Sequence, residues 1–202
     1  PEAQQKCFSR LNEGINRATR LVQQLLTIAR LDPDASKKPM TTINLAELVK
    51  SVRDDMAPIA AQKNIEITED ARPAMLDGME DAIRLMVTNL TDNAIRYTPE
   101  GGRIEITSST EHGLSVLRVC DNGPGIAPKE RSRVFDRFYR ALGTKTSGTG
   151  LGLAIVKRIV DIHHGTVEIE DGLDGRGTIF KLSFPPLGAS SHHTAAVPSS
   201  RI

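Results

Sequence analysis

The stretch from residue 41 to residue 187 alternates between the hydrophobic period of a helix and that of a strand, which restricts the possible folds. The segments with apolar residues at helical spacing are 45–63, 87–99 and 151–163. The segments with patterns typical of strands are 41–45, 65–70, 74–78, 102–110, 114–121, 166–172 and 177–184. We therefore predict an α+β fold, a two-layer sandwich in which helices cover a mixed, mainly antiparallel sheet.

The beginning of the chain carries a different pattern. Apolar residues recur there at alternating spacings of four and three, at Leu11, Ile15, Ala18, Val22, Leu25 and Ala29. This heptad pattern predicts that 1–32 is one long helix of a helical bundle, although an amphipathic helix packed on its own domain would also fit. We interpret 33–40 as a linker, 41–187 as the globular domain, and 188–202 as a disordered tail of small and polar residues.

Composition excludes several classes of function. The 202 residues include 26 lysines and arginines against 25 aspartates and glutamates, and only 3% are aromatic, so no nucleic-acid surface is predicted. Cys7 and Cys120 lie far apart, without the spacing of a disulfide framework or a metal-ligand motif. No apolar run reaches the ~18 residues of a membrane span, so we expect no membrane contact by this part of the protein.

The predicted helix 87–99, "VTNLTDNAIRYTP", carries an unusual polar face before it stops at a proline. Asn89, Asn93 and Arg96 are spaced by four and three residues, which places their side chains on one side of a helix. Asparagine is a mediocre helix former, so two of them in line require a reason. A solvated polar stripe and a functional face are both compatible with these residues alone.

Two glycine-rich stretches are candidate parts of a site. In "CDNGPGIAP" (120–128), Asp121 ends a strand and precedes Gly123 and Gly125, which predicts either a plain turn or a pocket floor that accepts a bond from an exocyclic amine. In "GTGLGLAIV" (148–156), glycines alternate immediately before a helix, where backbone N–H groups can bind an anion. Its spacing matches neither the Rossmann fingerprint nor a P-loop.

The stretch between these two motifs, "FDRFYRALGTKTS" (135–147), predicts a lid. A loop of this length inside a compact domain is commonly functional, and Phe135 and Phe138 can attach one end of it to the core. Arg137, Arg140 and Lys145 give the loop positive charge. A solvated loop with incidental charges is the alternative for Arg137 and Lys145, and fits Arg140 less well.

Taken together and in this order, the four stretches resemble the catalytic ATP-binding domain of bacterial sensor histidine kinases. The resemblance covers about residues 41–186, and the helix 1–32 is similar to the second helix of that family's dimerisation and phosphotransfer hairpin. It implies the Bergerat-type fold that gyrase, MutL and the ninety-kilodalton heat-shock chaperones share. It also implies ATP and Mg²⁺ as cofactors.

The resemblance implies a set of nucleotide-binding residues: Asn89, Asn93, Arg96, Tyr97, Asp121, Gly123, Gly125, Tyr139, Arg140, Gly148, Thr149, Gly150, Leu151, Gly152 and Thr178. By this resemblance Asn93 coordinates Mg²⁺ and Asn89 supports the metal and the phosphates. Asp121 accepts from the adenine amine, and Thr178 assists through water. The implied catalytic residues are Asn89, Arg96 and Arg140.

Asn89 also bears on the reaction. The hydrolases that share the fold typically carry glutamate at this position to activate water, and an amide cannot act as a general base. Neutral imidazole is already a nucleophile near pH 7, so transfer to histidine does not require that glutamate. This favours a protein-histidine kinase. A nucleotide-binding module without transfer activity and an ATP-hydrolysing domain of the gyrase or MutL type are the alternatives.

No histidine of this chain has the acceptor's context, which in the family is a helical histidine followed by an acidic residue. The histidines are His112, His163, His164, His192 and His193. We therefore expect this chain not to phosphorylate itself, with the acceptor upstream of Pro1 in a longer protein. The resemblance implies that the whole protein is a homodimer through its helical bundle, anchored in the bacterial inner membrane with this portion in the cytoplasm. Its partner would be a response-regulator receiver domain, whose aspartate receives the phosphoryl group.

Overall fold

The computed structural model describes residues 40–140, 149–172 and 175–188, and its elements follow the predicted order. They are β1 (Thr41–Asn44), α1 (Leu45–Ala61), β2 (Glu66–Ala71), β3 (Met75–Gly78), α2 (Glu80–Tyr97), β4 (Arg103–Glu111), β5 (Leu114–Asp121), α3 (Gly152–Ile162), β6 (Thr166–Asp171) and β7 (Thr178–Phe184). Among the described residues between β5 and α3, a 3-10 turn spans Pro128–Glu130. The predicted helix 1–32, residues 33–39 and the tail after Gly188 lie outside the described residues.

Five of the strands form one sheet, in the order β2-β4-β5-β7-β6, and β1 pairs with β3 in a separate antiparallel ribbon. β2 runs parallel to β4 because β3 and α2 form a crossover connection between them. The other neighbours in the five-stranded sheet are antiparallel. The predicted α+β fold with a mixed, mainly antiparallel sheet is therefore confirmed.

The three helices cover one face of this sheet. The inward side chains of its central strands include Ile106, Leu117 and Leu182, which have no exposed surface and share one apolar core with residues of all three helices. The opposite face carries charged pairs such as Arg118 with Glu111, whose Nη2 and Oε2 atoms are 2.8 Å apart. Hydrogen bonds from Arg118 and Ser109 lower the pKa of Glu111 to about 2.

Both ends of α2 are set by particular residues. At its start the N–H of Met79 donates to Nε2 of the buried His163, 3.0 Å away, at the end of α3. At its other end Thr98 adopts an extended conformation (φ −65°, ψ 132°), since the proline that follows it disfavours a helical one. The predicted stop of this helix at Pro99 is confirmed.

Candidate functional site

A cavity opens where the end of α2, the segment after β5, the start of α3 and strand β7 meet. Its empty space, counted together with the solvent in its open mouth, is about 760 Å³. Of the residues predicted from the sequence, those that line it are Asn93, Tyr97, Asp121, Gly125, Tyr139, Arg140 and Thr178. Residues from four distant parts of the chain therefore meet at one concave surface.

Asp121 lies at the end of β5 and is only 6% exposed. Its Oδ1 accepts a hydrogen bond from the N–H of Gly123 at 2.8 Å, and it pairs across the sheet with Thr178. Burial raises the pKa of this carboxyl group, while the backbone N–H groups of Gly123 and Thr178 partly offset that rise. The cavity thus contains a buried acceptor that is held in place by backbone donors.

The backbone of Asp121 rests on the turn between β6 and β7. A Cβ placed on Gly177 would lie 1.8 Å from the Asp121 carbonyl oxygen, and one on Gly172 would lie 2.7 Å from the same atom. A Cβ on Gly125 would lie 2.9 Å from the Gly177 carbonyl oxygen. Glycine is therefore required for this approach. Of the site residues in this region, the sequence predicted only Thr178, because glycines at a hairpin turn carry no signal of what packs against them.

The two asparagines of α2 face the start of α3. A Cβ placed on Gly152 would lie 3.4 Å from Oδ1 of Asn89 and 3.7 Å from Nδ2 of Asn93. Among the described residues, Nδ2 of Asn89 is buried without a hydrogen-bond partner. An unpaired buried donor costs about 1–3 kcal/mol, so a ligand that accepted from it would relieve a cost that the empty site carries.

Arg96, the third residue of the predicted polar face, is oriented differently. Its Nη2 lies 2.7 Å from Oδ2 of Asp92, one turn earlier on α2. The predicted residues that the structure describes but that do not line the cavity are Asn89, Arg96, Gly123, Thr149, Gly150, Leu151 and Gly152. Leu151 has no exposed surface, so only its backbone could face a ligand. Gly148 lies outside the described residues.

The predicted lid, as far as the structure describes it, is joined to the start of α3 at its base. The N–H of Phe138 donates to the carbonyl oxygen of Gly150 at 2.8 Å. Gly150 has φ +71°, and a Cβ there would lie 2.7 Å from the carbonyl carbon of Phe138. The guanidinium of Arg133 lies 4.6 Å from the centre of the Tyr139 ring, a cation–π contact that orients this cavity residue.

The N–H groups in the first turn of α3 are not balanced by a capping side chain at Leu151 or by a negative charge in that turn. Leu151 is the N-cap residue and has no side-chain capping bond, and the first turn contains no acidic residue. The hydroxyl of Thr149 accepts from the N–H of Leu151 at 3.3 Å, which leaves the later N–H groups of the first turn unpaired by side chains of the described residues. Such a helix start favours an anion.

The remaining cavity residues were not singled out by sequence reasoning. They are Ala94, Pro124, Ile126, Glu130, Val134, Leu153 and Phe180. Most are apolar, and apolar residues in a sequence do not indicate whether they face the core or a ligand. Within residues 40–140, 149–172 and 175–188, the structure has no cluster of His, Cys, Asp and Glu that could hold a metal ion. No helix in those ranges is long and apolar enough to cross a membrane.

Comparison with known proteins gives one matching family model. The family described as histidine kinase-, DNA gyrase B- and HSP90-like ATPase matches residues 78–188. The sensor protein kinase PmrB of Pseudomonas aeruginosa is 39% identical over 92% of this chain and 39% of that protein. The sensor protein QseC of Escherichia coli K12 is 38% identical over 87% of this chain and 38% of that protein. The chain thus spans about two fifths of the length of these relatives.

Solved structures show the same architecture. Full-length ShkA in complex with AMPPNP has a TM-score of 0.76 and 31% identity, over 90% of this chain and 38% of that one. The mycobacterial sensor histidine kinase MprB has a TM-score of 0.65 and 29% identity, over 72% of this chain and 97% of that one. The fold of this chain is therefore similar to that of these two solved structures.

Proposed function

The chain belongs to the histidine kinase-, DNA gyrase B- and HSP90-like ATPase family, and on this basis we propose that its cavity binds ATP with Mg²⁺ and that the longer protein transfers the γ-phosphoryl group to histidine. The observation that carries the proposal is one cavity lined by the buried carboxylate of Asp121, by Asn93 and by Leu153 in the first turn of α3, with Asn89 next to Gly152 outside that lining. These groups are suited to a ligand with a hydrogen-bond donor at one end and an anion at the other.

The base would bind at Asp121. Its carboxylate accepts from the exocyclic amine of adenine, and Thr178 lies opposite it in the next strand. The apolar residues Ile126, Leu153 and Phe180 line the same cavity and exclude water from the faces of the ring. Because a buried acceptor left unpaired costs about 1–3 kcal/mol, this end of the cavity selects a base that carries an amine.

The phosphates would bind between α2 and the start of α3. The buried Nδ2 of Asn89, which has no hydrogen-bond partner among the described residues, supplies a donor. The N–H groups at the start of α3 favour a negatively charged ligand, and the positively charged side chain of Arg140 lines the cavity. Asn93 would hold Mg²⁺ through its amide oxygen, a ligand type that suits this ion together with water and phosphate oxygens. When bound, the ion neutralises phosphate charge that otherwise opposes attack.

Transfer to histidine is favoured over hydrolysis by the side chain at position 89. Oδ1 of Asn89 lies 3.4 Å from the position of a Cβ on Gly152, the first residue of α3, and the amide of Asn89 cannot take a proton from water. We therefore expect Asn89→Glu not to raise phosphotransfer by the longer protein. A rise would contradict the assignment of this residue.

The whole protein would be a dimeric sensor. We propose that the heptad helix 1–32 belongs to a bundle that dimerises and carries the acceptor histidine in the preceding sequence, with 41–187 as the catalytic domain. The phosphoryl group would then pass to an aspartate of a response-regulator receiver domain. The relatives named sensor protein kinase and sensor protein support this proposal. Anchoring in the inner membrane, with this portion in the cytoplasm, belongs to the same proposal.

The test uses γ-labelled ATP on two proteins, the chain described here and the same chain extended upstream through its native sequence. We expect label only on the longer protein, stable to alkali and lost in acid, as for phosphohistidine. Label on neither protein, with steady release of phosphate, would instead support an ATP-hydrolysing domain. ATP binding without label or release would support a nucleotide-binding module.

A further inference from the structure

One wall of the cavity is built from a segment with almost no regular secondary structure. Between the end of β5 and Phe135, only the short turn Pro128–Glu130 is helical, yet Ile126, Glu130 and Val134 line the cavity. A wall of this kind does not hold its shape through a helix or strand hydrogen-bond ladder. Backbone hydrogen bonds such as that from the N–H of Val134 to the Glu130 carbonyl oxygen stabilise single turns of the segment, so contacts to other elements are needed to fix where it lies.

Arg131 makes such contacts in three directions. Its Nε donates to the carbonyl oxygen of Ile126 at 3.1 Å, inside the same segment. Its Nη1 donates to the carbonyl oxygen of Ile169 at 3.1 Å, and its Nη2 pairs with the carboxylate of Asp171. Both latter residues belong to β6, the edge strand of the sheet. The guanidinium thus joins the cavity wall to the sheet.

The hydrogen bonds from Arg131 to the carbonyl oxygens of Ile126 and Ile169 contribute more to this attachment than its ion pair with Asp171 does. Arg131 is 23% exposed at its side chain, whereas Asp171 is 74% exposed. Exposed ion pairs contribute little because water screens them. A planar guanidinium carries its donors on three separate nitrogens, here directed at acceptors on two different segments, whereas a lysine presents all its donors from one nitrogen.

We propose that Arg131 is a positioning residue for nucleotide binding: it fastens the wall at Ile126 to the edge strand β6 and so keeps the base end of the cavity formed before the ligand arrives. It does not line the cavity and touches no ligand itself. This inference rests on the proposed nucleotide binding, because it deepens the account of the same site. No metal or other ligand is needed for the contact.

The test measures ADP and AMP affinity for the full 202-residue chain by calorimetry, with Arg131→Met as the main variant. We expect the affinity for each nucleotide to fall about tenfold. This is the size expected when the backbone of roughly one residue must become ordered as the ligand binds. The loss should be similar for both nucleotides, since the base contacts are common to them. Lys129→Met, which removes a charge from an exposed position in the same segment, is the control and should stay within about twofold of wild type.

Hydrogen exchange of the ligand-free chain adds a second measurement. Amides of residues 124–134 should exchange faster in Arg131→Met, while those of the central strands β4 and β5 should not change. Should Arg131→Met fail to fold, Arg131→Lys gives the same test, since a single nitrogen does not reproduce the three nitrogens of the guanidinium fork. An affinity within twofold of wild type in a folded variant, or a loss confined to ADP, overturns the inference. A wild-type chain that binds neither nucleotide overturns the proposed function instead.

Discussion

The ammonium group of Lys63, in the turn after α1, lies 2.8 Å from the carbonyl oxygen of Thr98 and 2.7 Å from that of Ile95. A third bond reaches the carbonyl oxygen of Arg96 at 3.2 Å. The last carbonyls of a helix have no partner within it, so one lysine satisfies several of them at the end of α2. Since α2 carries Asn93 and Tyr97, this contact bears on the position of the site.

Replacing this lysine should lower stability. Lys63→Met keeps most of the apolar stem but leaves three carbonyl groups without their donor, so we expect the free energy of unfolding to fall by about 1–3 kcal/mol. Urea unfolding measures it. Lys50→Met, at an exposed position of α1, is the matched control and should change stability by less than about 0.5 kcal/mol. Equal effects of the two variants would mean that the contact at the end of α2 contributes nothing.

Asp121→Asn should change ligand affinity and stability in opposite directions. The amide can present a donor to the adenine amine, so we expect ATP affinity to fall roughly ten- to a hundredfold, the equivalent of about 1–3 kcal/mol. Burial raises the pKa of the carboxyl group, so its charged form weakens the ligand-free fold at neutral pH. The ligand-free variant should therefore unfold at the same temperature as wild type or at a higher one.

Calorimetry and thermal unfolding give both quantities for Asp121→Asn. Asp161→Asn, which removes a charge from a surface pair on α3, is the control for affinity. Unchanged ATP affinity in Asp121→Asn would remove this residue from the site. A loss of affinity that came with a large loss of stability would show a structural role instead.

Gly150→Ala, compared with Gly113→Ala, tests whether the contact between Gly150 and the loop at Phe138 contributes to ATP affinity beyond the effect of backbone strain. Gly150 and Gly113 both have positive φ, +71° and +82°, so alanine is strained at either position by about 1 kcal/mol. Only at Gly150 does the added Cβ also meet backbone, that of Phe138 and Tyr139, whereas at Gly113 nothing lies within 4 Å. We expect both variants to lose stability, but only Gly150→Ala to bind ATP more weakly. Equal ATP affinities would contradict a role for this contact in binding.

Stability should depend on the protonation of His163. This ring is 4% exposed, its Nδ1 lies 2.7 Å from the Ile159 carbonyl oxygen, and its Nε2 accepts from Met79. Burial lowers the pKa of His163, with a smaller contribution from the neighbouring His164. The folded pKa therefore lies below the ordinary value of about 6.5, and the unfolded chain binds the proton more readily.

The expected result is a stabilising contribution that is complete above about pH 6.5 and is lost progressively as the pH falls below that value. Urea unfolding between pH 5 and pH 8 measures it, and His163→Gln should remove that part of the pH dependence. His112→Asn, in the β4–β5 turn where φ is +50°, is the control and should retain it. A pH dependence that persisted in His163→Gln would assign it to another group.

Local features of the sequence predicted the elements, except that α2 begins at Glu80 and not at residue 87 as predicted. The alternation in "LSVLRVCD" predicts β5 with the bounds that the structure has, Leu114–Asp121, because alternation and the flanking turn residues are both local. Pro99 likewise predicts the end of α2, since its effect acts on the preceding residue. The alternation of helix and strand patterns predicted the α+β class, and the four motifs predicted the family.

Contacts between distant parts of the chain could not be predicted in the same way. Arg131 reaches Ile169 across 38 positions, and Lys63 reaches Thr98 across 35. Nothing near either cation distinguishes it from a solvated surface charge, because the partners are backbone carbonyls that every residue carries. The same holds for Gly177, whose contact with Asp121 is purely one of backbone with backbone.

The sequence by itself therefore determined which segments become helices and strands, the family, and most of the polar residues that line the cavity, since these depend on side-chain type and short spacing. Only the tertiary structure decided which apolar residues face the cavity and that Arg96 lies outside its lining. It also decided which cations donate to distant backbone carbonyls, as Arg131 and Lys63 do. The reason is physical: a hydrogen bond to a distant carbonyl depends on where the chain folds back, and that is a property of the whole packed core.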